Sequence, residues 1–507
     1  MLRQVKTENG WVRGIEAADP RITAFKGVPF AAPPTGRNRW RAPQPCESWA
    51  GVRDCSRFAP ISMQWIPGLG DDIYCREWHV DPEIPMGEDC LYLNIWTRAK
   101  KADEKMPVLV WFFGGGLQCG YPAEMEFDGE RIARRGIVVV TVNYRVGALG
   151  FLTHPEITKE QPDAPANFGN LDQQAGLRWV QRNIAAFGGD PSKVTIAGQS
   201  AGGGSVMSQL ACPANGGLFR NTVVMSAMIF DPYLRREIGR PELLKDAEKK
   251  GEDFFAYLGV RTLKEARNID AVTLQRSYEK YMESHIPFFT VQDDLFCVGD
   301  PIALYHAGKC MKVTMMAGNT GGEFLNAIDA NDGKTLEAEA KRLFGEKADA
   351  FLAIPESRVK TEGVGYGAAS GIECTVKGVL ADRAKDGESG YCYCFDPDIP
   401  GWDNPGTFHS SDLWFWFETL AKCWRPFVGR HYDLARQMCD YFCNFIRTGN
   451  PNGRDLNGET LPQWDVWSDK TPCTMRFTGE GAKPEEEALP PLKAFLRERI
   501  MERMRSI

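Results

Sequence analysis

The chain has 507 residues, 43% of them hydrophobic and 25% charged, which is enough to bury a large core and ordinary for a globular protein. Its net charge of -7 is mild and offers no basic face for a nucleic-acid partner. Its 15 cysteines form no CxxC pair and no zinc-type spacing, so they read as reduced, mostly buried small hydrophobes.

Residues 1–8 lack the apolar core of a signal sequence. The longest apolar runs, 107–113 and 137–140, are strand-length and far below a membrane span. A cytoplasmic protein without a membrane span is expected. Asn9-Gly10 predicts a hairpin between strand-like stretches at 2–7 and 11–15. After about a hundred residues of short strands and loops, strands and helices alternate. Strands are expected at 91–96, 108–113 and 138–143, a helix at 170–185, and a strand at 194–197 followed by a small-residue helix from 201 to 210. The strand series continues at 223–226, 314–318 and 390–395. Apolar strands separated by helices predict an α/β fold with a mainly parallel central sheet and helices on both faces. No linker or repeat divides the chain, so residues 1–507 are read as one domain. The charged stretches 233–281 and 336–385 read as helical insertions over one end of the sheet, where ligands bind in such folds. At the C-terminus, Leu492, Phe495, Leu496, Ile500 and Met504 give a basic amphipathic helix, read first as packing on the domain and otherwise as a dimer or membrane contact.

The most informative stretch is Val194-Thr195-Ile196-Ala197-Gly198-Gln199-Ser200-Ala201-Gly202. A β-branched strand runs into a G-x-S-x-G turn, which holds its serine on a strained strand-to-helix corner. The helix behind it points free N–H groups at the chemistry. The pentapeptide alone also fits a turn serine. With its flanking strand and helix, it predicts acyl transfer with Ser200 as nucleophile.

A serine nucleophile needs a base, an acid to orient the base, and an oxyanion hole. Of the six histidines, His409 and His431 lie late enough for the order serine, acid, histidine. His409 is favoured because it falls in a polar loop, Gly406-Thr407-Phe408-His409-Ser410, whereas His431 falls in a helical run. Glu323 follows a strand and the glycines Gly321 and Gly322; by pattern alone it also fits the first turn of a helix over 323–328. Gly114-Gly115-Gly116 ends the strand at 108–113, and Gly115 and Gly116 with Ala201 could supply three backbone N–H donors.

These residues resemble the type-B carboxylesterases, the family of bacterial para-nitrobenzyl esterases, mammalian carboxylesterases and cholinesterases. Two long signatures carry the resemblance. One runs from Phe187-Gly188-Gly189-Asp190-Pro191 through Gly198-Gln199-Ser200-Ala201-Gly202; the other is Glu88-Asp89-Cys90-Leu91-Tyr92-Leu93-Asn94-Ile95-Trp96. Shorter matches extend from Phe25-Lys26-Gly27-Val28-Pro29 to Thr448-Gly449-Asn450-Pro451. The resemblance implies an α/β-hydrolase fold with Ser200, Glu323 and His409 as the catalytic triad. It implies Gly115, Gly116 and Ala201 as the oxyanion hole, and Ser226 and Asp412 as a supporting buried polar pair. Leu117, Phe288, Phe289 and Trp414 fall near wall segments of the family's pocket.

Three departures stand out. Gln199 replaces the glutamate of cholinesterases, which weakens the case for a cationic substrate. Gly321-Gly322-Glu323-Phe324 stands where the family usually has Asp-Glu-Gly. Cys90 corresponds to a cysteine often disulfide-bonded in secreted members; its nearest upstream cysteine is Cys75, and without a signal peptide the reduced pair is the expected state.

The implied function is hydrolysis of uncharged short-acyl or aryl esters through an acyl-enzyme on Ser200. Neither a metal nor an organic cofactor is needed. Activity should fall below about pH 6–7, because a protonated histidine cannot act as base. The same machinery would also serve carbamate or thioester hydrolysis or acyl transfer to an alcohol. A non-catalytic, cholinesterase-like adhesion protein is the reading from another class, and the intact triad speaks against it.

Overall fold

The computed structural model describes residues 1–233 and 240–506. Eleven strands form the central sheet among these residues. In chain order they are β1 (Ile15–Glu16), β2 (Thr23–Pro29), β3 (Tyr92–Thr97), β4 (Met106–Phe112), β5 (Val138–Val142), β6 (Gly189–Gln199), β7 (Asn221–Met225), β8 (Thr314–Thr320), β9 (Gly390–Phe395), β10 (Cys473–Thr478) and β11 (Gly481–Glu486). Across the sheet the order is β11-β10-β9-β8-β7-β6-β4-β5-β3-β2-β1. Every pairing from β5 through β10 is parallel, and both flanks are antiparallel. This is the α/β-hydrolase architecture. Val138, Val139, Val140, Val142, Val108, Leu109 and Val110 are fully buried, as residues of strands covered on both faces must be.

Register fixes where the strands stop. Phe112 pairs with Gly198, Gln199 with Met225, Met225 with Gly318, and Gly318 with Tyr393. The carboxyl ends of β4, β6, β7, β8 and β9 therefore finish nearly level. The loops that follow them emerge side by side on one edge, the usual place for a site in an open α/β sheet.

The expected strands and the helix at 170–185, observed as Phe168–Asn183, are present with shifted ends. The β10–β11 hairpin was not anticipated. Lys483, Pro484 and Glu485 make β11 poor strand material, and it is tolerated because it lies at the sheet edge, where unpaired positions accept proline and charge.

The first expected insertion holds helices Leu244–Leu258, Leu263–Arg267 and Ala271–Met282; its residues 234–239 lie outside the described residues. The second is less helical than expected. Between helices Gly333–Phe344 and Gly371–Lys385 the chain forms strands Lys360–Thr361 and Gly365–Ser370, the second of which pairs antiparallel with Lys360–Thr361 on one side and with Leu325–Ile328 on the other. Helix Gly371–Lys385 is no insertion. It packs against β8 and β9 and is buried along most of its length. Its charges misled the pattern: Glu373 is neutralised by Lys377 at 2.8 Å and Lys493 at 2.6 Å, which leaves a helix fit for the core.

The C-terminal helix Pro491–Arg505 buries Leu492, Leu496, Ile500, Met501 and Met504 and packs against Gly371–Lys385. A Cβ at Gly378 would come within 2.7 Å of Met501 Cε, so glycine permits the approach. All fifteen cysteines are free, Cys75 and Cys90 included. No helix among the described residues is long and apolar enough to cross a membrane.

Candidate active site

Ser200 joins β6 to helix Ala201–Ala211 with φ 54° and ψ -126°, a conformation side chains strongly disfavour. Holding it there costs about 1–3 kcal/mol. The surroundings enforce it. Ser200 N–H donates to Met225 O at 2.9 Å, and Ser200 O accepts from Gly204 N–H at 2.9 Å. A Cβ at Gly198 would lie 2.4 Å from the Gly202 carbonyl, and one at Gly202 would lie 2.1 Å from Phe112 O. Both motif glycines are needed for the close passage of helix and strand.

Two loops bring Glu323 and His409 together. Gly322 N–H donates to Thr407 O at 3.0 Å and to Thr407 Oγ1 at 2.9 Å, while Gly321 N–H donates to Phe395 O at 2.7 Å. A Cβ on Gly321 would strike Asp396, and one on Gly322 would sit 2.7 Å from Thr407 O. The loops can approach this closely only because both residues are glycine. Glu323 Oε1 then lies 2.5 Å from His409 Nδ1, with both side chains buried. No helix starts at Glu323; Leu325–Ile328 is a strand.

His409 Nε2 lies 3.3 Å from Gln199 Nε2. The Gln199 amide N–H, which can only donate, faces Nε2 and suits it as acceptor, and the Glu323 carboxylate, which can only accept, faces Nδ1 and suits it as donor. In this arrangement Nε2 faces the elbow and Nδ1 faces Glu323. Tyr74 Oη–H donates to His409 O at 3.4 Å and holds the loop from the opposite flank. Burial pushes the Glu323 carboxyl up, but the hydrogen bond and charge of His409, then Ser226 and the Phe324 N–H, outweigh it and leave it below the usual glutamate range.

Ser226 follows β7 with φ 49° and donates its N–H to Gly318 O at 2.8 Å. Its hydroxyl sits beside Glu323 without a well-aligned hydrogen bond. Asp412 Oδ2 accepts from Tyr393 Oη–H at 2.9 Å and Trp416 Nε1–H at 3.1 Å, while its Oδ1 has no partner among the described residues. Burial raises the Asp412 carboxyl to about 6 against these two donors. The folded protein therefore binds this proton more tightly than the unfolded chain does. Its contribution favours folding at low pH and is lost as pH rises from about 4 to about 6, by about 3 kcal/mol. Denaturant unfolding of wild type and Asp412→Asn at pH 4.5 and 7.5 should show wild type losing ground to the variant as pH rises. Parallel pH dependences would contradict this.

Gly115 and Gly116 have φ 97° and 63°. A Cβ at Gly115 would come within 2.3 Å of Cys119 O, whereas one at Gly116 would meet nothing within 4 Å. Their neighbour Gly114 packs on the elbow, since a Cβ there would lie 3.3 Å from Ser200 Cβ. The glycine loop and the first residue of the elbow helix, Ala201, thus flank Ser200.

Leu117 is buried with φ 62°. Next to it, Gln118 Nε2–H donates to Phe288 O at 2.8 Å and Gln118 Oε1 accepts from Tyr278 Oη–H at 2.8 Å. This ties the glycine loop to the insertion. Phe288 is buried, stacked on Tyr278 at 5.4 Å, while Phe289 is partly exposed. Trp414 is buried 6.3 Å from Trp78, whose ring stacks on Phe408 at 6.4 Å.

The other histidines have other partners. His431 Nδ1 accepts from Val428 N–H at the start of helix Gly429–Thr448, and His154 Nδ1 accepts from Glu156 N–H. His79 pairs with Glu124, His306 with Asp382, and His285 stacks on Tyr281. Sequence reasoning missed the Gln199 contact with His409, the Gln118–Tyr278 link and the ring of Phe324, which stacks on His409 at 4.3 Å. Adjacency to Ser200 and Glu323 was the available signal for the first and last.

The carboxylesterase family model matches residues 2–362 and 368–489. Fumonisin B1 esterase of Sphingopyxis macrogoltabida is 33% identical over 350 residues, 68% of this chain and 61% of that protein. Mouse (Mus musculus) cholinesterase is 41% identical over 237 residues, 45% of this chain and 38% of that protein. The matches therefore span less than two thirds of these relatives. Among solved structures, a PNB esterase superposes with TM-score 0.78 at 25% identity, covering 99% of both chains. The family match over nearly the whole sequence and the likeness in fold over nearly the whole chain establish that this protein belongs to the carboxylesterase family.

Proposed function

We propose that the protein is a serine carboxylesterase that hydrolyses uncharged carboxylic esters, with short-acyl or aryl groups, through an acyl-enzyme on Ser200. The observation that carries this reading is the Glu323–His409 pair, its base-competent nitrogen turned to the elbow beside Ser200. Ser200 Oγ attacks the ester carbonyl as His409 Nε2 takes its proton. Backbone N–H groups of Gly115, Gly116 and Ala201 receive the oxyanion, and the loss of one such donor typically costs about 3–4 kcal/mol of transition-state stabilisation. The imidazolium, held by Glu323, protonates the departing alcohol. Water then repeats the sequence on the acyl-enzyme and releases the acid.

Because the base must be neutral, activity falls on the acid side. The neutral Gln199 beside Ser200 favours uncharged substrates. The single sheet running from β1 to β11 supports one hydrolase domain. Fifteen unpaired thiols fit a reducing, cytoplasmic setting.

The test is turnover of para-nitrophenyl acetate, butyrate and octanoate beside a choline ester. Turnover of the neutral esters, with the choline ester at least tenfold poorer, is expected. Folded protein that turns over none of them would overturn the reading.

A further inference from the structure

The Phe324 ring lies over the His409 imidazole, with centroids 4.3 Å apart and planes 29° from parallel. The same residue leaves 52% of its surface exposed, so the fold core does not require it. Its backbone is committed as well: Phe324 N–H donates to Glu323 Oε1 at 3.3 Å, the oxygen that also faces His409 Nδ1. One residue thus touches both the acid and the base, through its N–H and its ring.

We infer that Phe324 is a positioning residue that clamps the His409 imidazole and stabilises its protonated form through the ring face. This rests on the serine esterase reading above. A flat ring stacked on imidazole restricts its rotation and keeps water off one face. The negative face of the phenyl ring attracts the imidazolium more than the neutral imidazole. That preference acts when His409 holds the proton of Ser200, which is when the oxyanion forms. Other groups around His409 are the Glu323 carboxylate at Nδ1, the Gln199 amide at Nε2, the Tyr74 hydroxyl on the backbone and the Asp412 carboxyl nearby. None of these covers the ring face that Phe324 covers.

The test compares Phe324→Leu, which keeps apolar bulk without a ring, with Phe324→Tyr, which keeps the ring. For para-nitrophenyl acetate, Phe324→Leu should lower kcat by about threefold to tenfold with KM nearly unchanged. The acid limb of its kcat/KM profile should move down by about half a pH unit, because losing the ring makes His409 harder to protonate. Phe324→Tyr should restore both. The His409 titration followed by NMR should move the same way, which keeps the clamp testable apart from turnover. Wild-type protein without esterase activity would defeat the function and leave the NMR shift to judge the clamp. Active wild type with an unmoved acid limb and unmoved NMR titration in Phe324→Leu would overturn the inference, as would a change in KM alone.

Discussion

On the proposed mechanism, Ser200→Ala should lower kcat/KM for para-nitrophenyl butyrate by about 10⁵-fold to 10⁶-fold, with the protein still folded. The loss is this large because the remaining parts act on an atom that is no longer there. His409 has no hydroxyl to deprotonate, and no acyl-enzyme forms. Residual rate over water, from the oxyanion donors and binding, should persist at about 10³-fold. Folding survives because the enforcing contacts at Ser200 are made by its backbone, to Met225 O and Gly204 N–H, and alanine keeps both. Strain at φ 54°, ψ -126° adds a second arm. Alanine retains that strain and glycine relieves it, so Ser200→Gly should be more stable than Ser200→Ala by about 1 kcal/mol in denaturant unfolding. Activity retained in Ser200→Ala would remove the nucleophile from the account. A Ser200→Gly variant less stable than Ser200→Ala would contradict the strain argument.

Glu323→Gln should lower kcat by about 10⁴-fold, with little change in KM. The carboxylate can only accept, so it holds the Nδ1 proton and leaves the Nε2 lone pair for catalysis. A glutamine can turn its amide N–H toward Nδ1, which places the proton on Nε2 and aims it at the serine. The imidazolium of the transition state also loses its buried counter-charge. Wild type and Glu323→Gln compared under single-turnover conditions would separate these losses from slow product release. A drop below tenfold would mean that Glu323 does not orient the base.

Much of this arrangement is legible in the sequence because backbone geometry forces it. Gly198 and Gly202 can be read as close-passage glycines, since few other reasons put glycine on both sides of a serine after a strand. The glycine loop after β4 and the loop position of His409 are legible for the same reason. Glu323 was not decided by pattern, because an acid after Gly321-Gly322 fits a helix start equally well. What settles its environment is the Gly322–Thr407 contact between loops 85 residues apart, which no local pattern encodes. The contact of Gln199 with His409 spans 210 residues and was invisible for the same reason. Helix Gly371–Lys385 does not look like a core helix in the sequence because its charges are cancelled partly within the helix, by Lys377, and partly by a distant residue, Lys493. The edge strand β11 was overlooked because edge strands escape the apolar pattern that marks buried ones.

The most direct test of the central claim is covalent. Wild-type protein is treated with diethyl para-nitrophenyl phosphate, which traps an activated serine, and its peptides are mapped by mass spectrometry. The account predicts one diethylphosphoryl group per chain, on the peptide carrying Ser200, with loss of esterase activity in proportion. Label on another residue, or full activity in fully labelled protein, would contradict it.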